Sequence, residues 1–242
     1  MKKLTVILPA AGKGTRLNLP YPKEIFRIDK EKALIDNSFE LFSQQGRDSV
    51  EFVVVVNEHK TEIVKYLSKY KSKFNVSFTY QNPEEVEYTG AIKSAAHLFG
   101  ERNIVLLPDT LLTLAKGVSL IEEVHHSLDK AEFTFLFKPE KKEDILKTKG
   151  CLRLGTDGRV LSYEDKPSNN LSNYDGYWCA FAFKKAVFDE CIAFMEQSTL
   201  KFESYKTNIE QTKIFNSQTI EVETYKDLGT WEEVRDLLSK DQ

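Results

Sequence analysis

The sequence predicts an α/β fold around a mixed, mainly parallel central sheet, and three observations carry that prediction. Short apolar runs alternate with amphipathic stretches through the first two-thirds of the chain, the rhythm of βαβ units. Thr5–Leu8, Phe52–Val56 and Ile104–Leu107 are apolar almost throughout, as strands covered on both faces must be. After about residue 131 the rhythm gives way to strands separated by turn residues, a smaller β-rich part.

Each element follows from its own pattern. Between the apolar strands, Ile63, Val64, Leu67 and Tyr70 recur at helical spacing, as do Ile92, Ala95, Ala96 and Phe99, then Val118, Ile121, Val124 and Leu128. Each set gives one apolar face to the sheet. Glu132–Phe137, Cys151–Leu154, Val160–Tyr163 and Trp178–Phe183 read as strands, with Thr156-Asp157-Gly158 supplying turn chemistry between two of them. Val187, Phe188, Cys191, Ile192 and Met195 mark a helix, Ile220–Tyr225 a returning strand, and Trp231, Val234, Leu237 and Leu238 a last helix.

No Pro-, Gly- or Ser-rich linker divides the 242 residues, so one compact domain over 1–242 is expected. Lys and Arg total 34 against 37 Asp and Glu, a net charge of −3, which supplies no global field for nucleic acid or an anionic membrane. The apolar run behind Met1-Lys2-Lys3 stops at Pro9, too short for a signal peptide or a membrane span, and a cytoplasmic protein is expected. Cys151, Cys179 and Cys191 are an odd number at wide spacing without a Cys-x-x-Cys pair, which fits reduced, mostly buried thiols. His125-His126 fall on the polar edge of a helix, and His59 and His97 lack partners at ligand spacing. The basic stretch Lys65–Lys73 has Tyr66 and Tyr70 interleaved, but its apolar face is needed by the core, which argues against RNA binding.

The chemistry concentrates where strands end. Leu8-Pro9-Ala10-Ala11-Gly12-Lys13-Gly14-Thr15-Arg16-Leu17, followed by Pro22-Lys23-Glu24, runs an apolar strand into a small-residue loop carrying cations. Such a loop lets backbone N–H groups approach phosphate oxygens while a guanidinium and an ammonium neutralise them. It lacks the third glycine of a dinucleotide fingerprint and the Gly-Lys-Ser/Thr of a Walker A loop, and an ordinary strand-to-helix turn is the alternative. Leu106-Leu107-Pro108-Asp109-Thr110 and Tyr225-Lys226-Asp227-Leu228-Gly229-Thr230 each set a carboxylate at a strand end, where two carboxylates plus phosphate oxygens and water suit Mg²⁺. Each could instead cap a turn or helix.

The Ala11-Gly12-x-Gly14-Thr15-Arg16-Leu17 and Pro22-Lys23 pattern resembles the signature of the nucleotidyltransferases that join a nucleoside triphosphate to a sugar 1-phosphate or a similar phosphate. The two aspartate motifs resemble that family's metal-binding elements, in the same order, and the resemblance covers nearly the whole chain. It implies a GT-A-like (Rossmann-like) three-layer fold, with residues to about 130 binding the NTP and about 131–242 binding the acceptor. It further implies Mg²⁺ ligation by Asp109 and Asp227. The NTP would lie on Ala10, Ala11, Gly12, Gly14 and Thr15, with Arg16 and Lys23 on its phosphates as the catalytic cations. Gln81, Thr89 and Gly90 resemble the base-reading loop, although the base is not readable. Lys149-Gly150-Cys151 and Tyr163-Glu164-Asp165-Lys166-Pro167 resemble the acceptor element, with Gly150 and Asp165 on the acceptor, Lys166 on its phosphate, and Asp165 where Glu is usual. Dimers or tetramers are a family-level expectation.

One departure stands out. Where sugar-using members commonly have a small residue, this chain has Trp178-Cys179, either core packing or a narrowed acceptor pocket that includes Trp178. The departure keeps open a cytidylyltransferase acting on a phosphocholine-, phosphonate- or polyol-phosphate-type acceptor. The Pro9-Ala10-Ala11-Gly12 opening also looks like the cytidylyltransferases of isoprenoid synthesis, although Pro108-Asp109-Thr110 is not their Asp-Ala-Ala-Arg motif. A non-catalytic nucleotide-binding regulator on the same fold is a further alternative. It would be expected to have lost a metal carboxylate or a phosphate cation, and Arg16, Lys23, Asp109, Lys166 and Asp227 are all present.

Overall fold

The structure, a computed structural model, describes residues 3–85, 87–199 and 212–238. The chain runs β1 (Leu4–Pro9), α1 (Asp36–Glu40), β2 (Val50–Val56), α2 (Thr61–Leu67), β3 (Asn75–Tyr80), α3 (Glu87–Ser94), β4 (Arg102–Val105) and β5 (Thr110–Thr113). It continues with α4 (Leu120–Lys130), β6 (Phe133–Pro139), α5 (Glu143–Leu146), β7 (Gly150–Leu154), β8 (Val160–Asp165), β9 (Gly176–Lys184) and α6 (Phe188–Thr199). β10 (Gln218–Glu221), β11 (Thr224–Asp227) and α7 (Trp231–Leu238) complete it. The chain gathers into two units, one of Met1–Gly100, Val105–Thr113 and Thr224–Gln242, the other of Glu101–Ile104 and Leu114–Glu223.

In the first unit β1, β2 and β3 pair parallel in that order, so all three point their carboxyl ends the same way. Every residue of β1 and all but Glu51 of β2 are buried, which explains their unbroken apolar sequences. Phe39 stacks on Phe52 at 4.0 Å between ring centroids, and Phe52 meets Phe74 edge-on at 5.0 Å. Asp36 is tolerated in this core because its carboxylate accepts from Ala33 N–H, Lys69 Nζ and the hydroxyls of Tyr66 and Tyr70. β11 returns antiparallel to β5, and Leu17, Leu34, Leu228 and Val234 form a cluster that fixes this return. α7 starts on a capping box: Thr230 Oγ1 accepts from Glu233 N–H at 3.3 Å, and Glu233 Oε2 accepts from Thr230 N–H at 2.9 Å.

In the second unit β10 pairs parallel with β6, and β6 pairs antiparallel with β9 through a register shift between Leu136 and Phe137. The β7–β8 hairpin also joins β9, with Cys151 opposite Tyr177. Gly158 takes a φ of +77° in the hairpin turn, as Thr156-Asp157-Gly158 predicts. Phe133, Phe135, Phe181 and Phe183 fill the core.

The α/β class with a mixed sheet is borne out, and all three cysteines are free and buried. Some elements differ. Ile220–Tyr225 is not one strand: the chain breaks at Val222-Glu223 into β10 and β11, which join different sheets. Thr110–Thr113 forms an additional short strand, while Ile104–Leu107 ends as a strand at Val105. Val118 precedes α4 and is exposed, and the His125 ring faces inward, its Nε2 buried and its Nδ1 3.2 Å from Arg102 Nη1. The Leu238 side chain, along with Val86 in the Asn82–Tyr88 stretch, lies outside the described residues. Among the described residues no helix is long and apolar enough to cross a membrane.

Candidate active site

Because β1, β2 and β3 are parallel, the segments after them gather beyond one end of the sheet, where α/β folds bind ligands. Ala10 leaves β1 with its N–H on Val55 O at 2.8 Å, and Ala10 and Ala11 are buried. Gly12 and Thr15 to Arg16 are exposed turns, not a helix, since two glycines and Pro20 and Pro22 interrupt the segment before the single 3-10 turn Lys23–Ile25. The strand-to-helix alternative is therefore not what forms. The two glycines differ physically. Gly14 has a φ of +65°, a region that favours glycine, whereas a Cβ on Gly12 would meet no atom within 4 Å.

Lys23 crosses this loop. A Cβ on Gly14 would lie 3.7 Å from Lys23 Cγ, so the aliphatic stem runs over that glycine to an ion pair between Lys23 Nζ and Asp109 Oδ2. Their side chains are 17% and 15% exposed, a site with restricted access to water. The β5–β11 pairing sets Asp227 opposite Thr110, the neighbour of Asp109, and Leu228 N–H donates to Asp109 O at 3.1 Å. A Cβ on Gly229 would lie 3.1 Å from Asp227 Oδ1 and 3.2 Å from Arg16 Nη1, so carboxylate and guanidinium share the space over that glycine. The cap of α7 is Thr230 with Glu233.

The pairing thus sets Asp227 opposite the neighbour of Asp109, with the Lys23 ammonium on Asp109 and the Arg16 guanidinium beside Asp227 over Gly229. The donor set of the two aspartates is all oxygen, and Asp109 attracts an ammonium, so the pair suits a hard cation completed by phosphate oxygens and water. Among the described residues no group of three or more His, Cys, Asp or Glu is arranged to hold a metal. At the end of β3, the Gln81 amide donates to Glu85 O at 2.7 Å and Glu87 O at 3.1 Å. Thr89 is buried with Oγ1 lacking a hydrogen-bond partner, and a Cβ on Gly90 would lie 2.7 Å from Glu85 O.

The second unit brings the other four residues together. Gly150 pairs with Asp165 across β7 and β8, and a Cβ on Gly150 would overlap Trp178 Nε1 and lie 2.8 Å from Tyr163 Oη. The half-buried indole therefore lies on Gly150, against Phe135 and Phe181. Burial holds the Asp165 carboxyl above the usual carboxylate range, with Lys166 opposing the shift. Lys166 is exposed at a φ of +49°, its N–H on Lys149 O at 2.9 Å.

Sequence reasoning passed over the turn after β2. Asn57 Nδ2 donates to Ala11 O at 2.6 Å and its Oδ1 accepts from His59 N–H at 2.9 Å. Lys60 Nζ reaches both oxygens of Glu24 at 2.7 and 2.8 Å. The available signal was the repeat of a strand end on the same side of the sheet.

The family model for nucleotidyl transferases matches residues 4–242. No curated protein is significantly similar in sequence. Among solved structures, a UDP-glucose pyrophosphorylase complexed with UDP-glucose is similar at a TM-score of 0.75 and 18% identity, over 100% of this chain and 98% of that one. The Bacillus anthracis protein assigned as a glucose-1-phosphate thymidylyltransferase, in complex with a sucrose, gives 0.74 and 16% over 98% and 94%. A UDP-glucose pyrophosphorylase from Acinetobacter baumannii gives 0.70 and 17% over 98% and 92%. These likenesses carry the fold, and the full-length family match completes the case: the chain belongs to the nucleotidyl transferase family.

Proposed function

We propose that the protein transfers a nucleotidyl group from an NTP to a sugar 1-phosphate, giving an NDP-sugar and pyrophosphate. The observation that carries this reading is the Lys23–Asp109 pair beside Asp227 and Arg16, over a glycine loop. An acceptor phosphate oxygen forms the new bond to the α-phosphorus as the bond to the bridging oxygen breaks, and pyrophosphate leaves with that electron pair. A phosphate monoester is largely deprotonated near neutrality, so the site needs no general base. Positioning and charge neutralisation carry the catalysis. Arg16 binds the triphosphate tail, Lys23 the α-phosphate as charge develops, and Lys166 the acceptor phosphate. Asp109 and Asp227 would hold Mg²⁺, which when bound neutralises phosphate oxygens.

Trp178 favours a second reading of the acceptor. Its indole covers Gly150, the residue that a sugar would otherwise approach, and this suits a small phosphorylated alcohol or phosphonate. Pyrophosphate release with Mg²⁺ across ATP, GTP, CTP, UTP and dTTP, against hexose 1-phosphates and small alcohol phosphates, tests both. A bright hexose 1-phosphate pair supports the first reading and a bright alcohol phosphate pair the second. A blank grid refutes nucleotidyl transfer to either class.

A further inference from the structure

We propose that the buried Glu24–Lys60 ion pair is a positioning device for Lys23, acting on the reaction through that cation without touching substrate. For its kinetic arm alone, this rests on the nucleotidyl-transfer reading above. Lys23 and Glu24 are consecutive in a single 3-10 turn, whose own backbone bonds are few: Ile25 N–H to Pro22 O at 3.1 Å and Phe26 N–H to Lys23 O at 2.9 Å. An isolated turn of this length has little internal rigidity. Its anchors are external: Ile35 N–H on Glu24 O at 2.9 Å, and Lys60 Nζ on both Glu24 carboxylate oxygens.

Glu24 is 1% and Lys60 5% exposed. Taking two charges out of water is costly, and an apolar pair of similar volume would fill the space at least as stably. What the ion pair adds is direction, because two oxygens on one ammonium fix the rotation of the turn. Burial raises the Glu24 pKa and lowers that of Lys60, each opposed by the partner's charge. Lys23 and Asp109 both contribute to the field at Lys60, so charges of alternating sign run Asp109, Lys23, Glu24, Lys60. Lys60 itself is set by the turn after β2, its N–H on Asn57 O at 3.1 Å, and Asn57 holds Ala11 O in the glycine loop. One short turn, hung from a strand buried at every position but Glu51, thus anchors both the loop and the residue beside Lys23.

The test is the double variant Glu24→Leu/Lys60→Met, which removes both charges and keeps the volume, compared with wild type in three readouts. Thermal melting reports folding. Competitive acetylation read by mass spectrometry reports the environment of the Lys23 amine, with Lys32 as an internal control. Steady-state pyrophosphate release separates kcat from KM. The expected result is a folded protein whose Lys23 acetylation rate departs severalfold from wild type, and whose kcat falls about 10- to 100-fold with little change in the KM for NTP. An unchanged Lys23 acetylation rate in the folded variant overturns the proposal, whatever the kinetics. If the double variant does not fold, Glu24→Gln, which keeps the length and one acceptor oxygen, is read by the same criteria. If wild type releases no pyrophosphate with any substrate pair, the nucleotidyl-transfer reading fails while the acetylation rates still decide the positioning.

Discussion

Replacing Lys23 with methionine keeps the stem over Gly14 and removes the ammonium, and the structure predicts opposite effects on turnover and on metal affinity. In turnover the lost charge resembles removal of a preorganised donor at a developing anion, about 2.7–4 kcal/mol, or about 10²–10³ in kcat. Lys23 pairs with Asp109, and at the proposed metal site this ion pair would compete with a metal for the carboxylate. Exposed ion pairs are worth about 0.2–1 kcal/mol and hydrogen bonds to charged groups about 1.5–3. With side chains 17% and 15% exposed, this pair falls between, at about 1–2 kcal/mol. At about 1.4 kcal/mol per decade, Mg²⁺ should then bind the nucleotide-free variant about 5- to 30-fold more tightly. The assays are pyrophosphate release and the Mg²⁺ concentration that half-saturates a thermal shift. A variant turning over within a few-fold of wild type, or showing unchanged or weaker Mg²⁺ binding, refutes the reasoning.

The two glycines Gly12 and Gly90 separate ligand approach from folding. Gly12→Ala should melt within a degree or two of wild type, because its Cβ meets no atom within 4 Å, and should raise the KM for NTP; an unchanged KM would remove this residue from the phosphate loop. Gly90→Ala should lose about 1–3 kcal/mol in urea titration, because the backbone carbonyl carbon of Glu85 stands 2.5 Å from the new Cβ. Asp165 has a raised folded pKa, so the folded state holds the proton more tightly than the unfolded chain, and its contribution to stability declines as pH rises from the ordinary carboxylate value to the raised one. Asp165→Asn should therefore melt higher than wild type at neutral pH, and the gain should vanish in melts recorded at acid pH. Trp178→Ala should open the face of Gly150 and shift kcat/KM towards hexose 1-phosphates over small alcohol phosphates; an unmoved ratio would leave the indole as packing alone.

How much of this was legible depends on how local the determining interaction is. The buried parallel strands were readable because β1 and β2 are covered on both faces and their apolar runs say so directly. The loop proposed to bind phosphate was readable because small residues and cations lie within one short stretch. Glu24 and Lys60 were not: a glutamate after Pro22-Lys23 and a lysine before a helix both look like solvated charges, and only the fold buries them against each other, 36 residues apart. Asn57 was missed for the same reason, since its bond to Ala11 joins segments that meet only when β1 and β2 pair.

The two aspartates of the proposed metal site mark the boundary between the two kinds of information. Each aspartate was visible alone, at the end of a plausible strand, but either could have been a cap. What distinguishes them is the pairing of β5 with β11, which sets Asp227 opposite Thr110 and puts Leu228 N–H on Asp109 O. A single run from Ile220 to Tyr225 would have ended before Asp227 and given it no partner strand. The break at Val222-Glu223 lets the chain leave β10 and begin β11 with two residues between, and the Leu17–Leu34–Leu228–Val234 cluster then holds the return in register. Side-chain periodicity in a strand is two, so a slip of one residue would turn Asp227 to the other face. The apolar residue beside it, Leu228, fully buried in that cluster, is what makes such a slip costly. The chemistry proposed for the two carboxylates thus depends on a hydrophobic contact that carries no functional signature of its own.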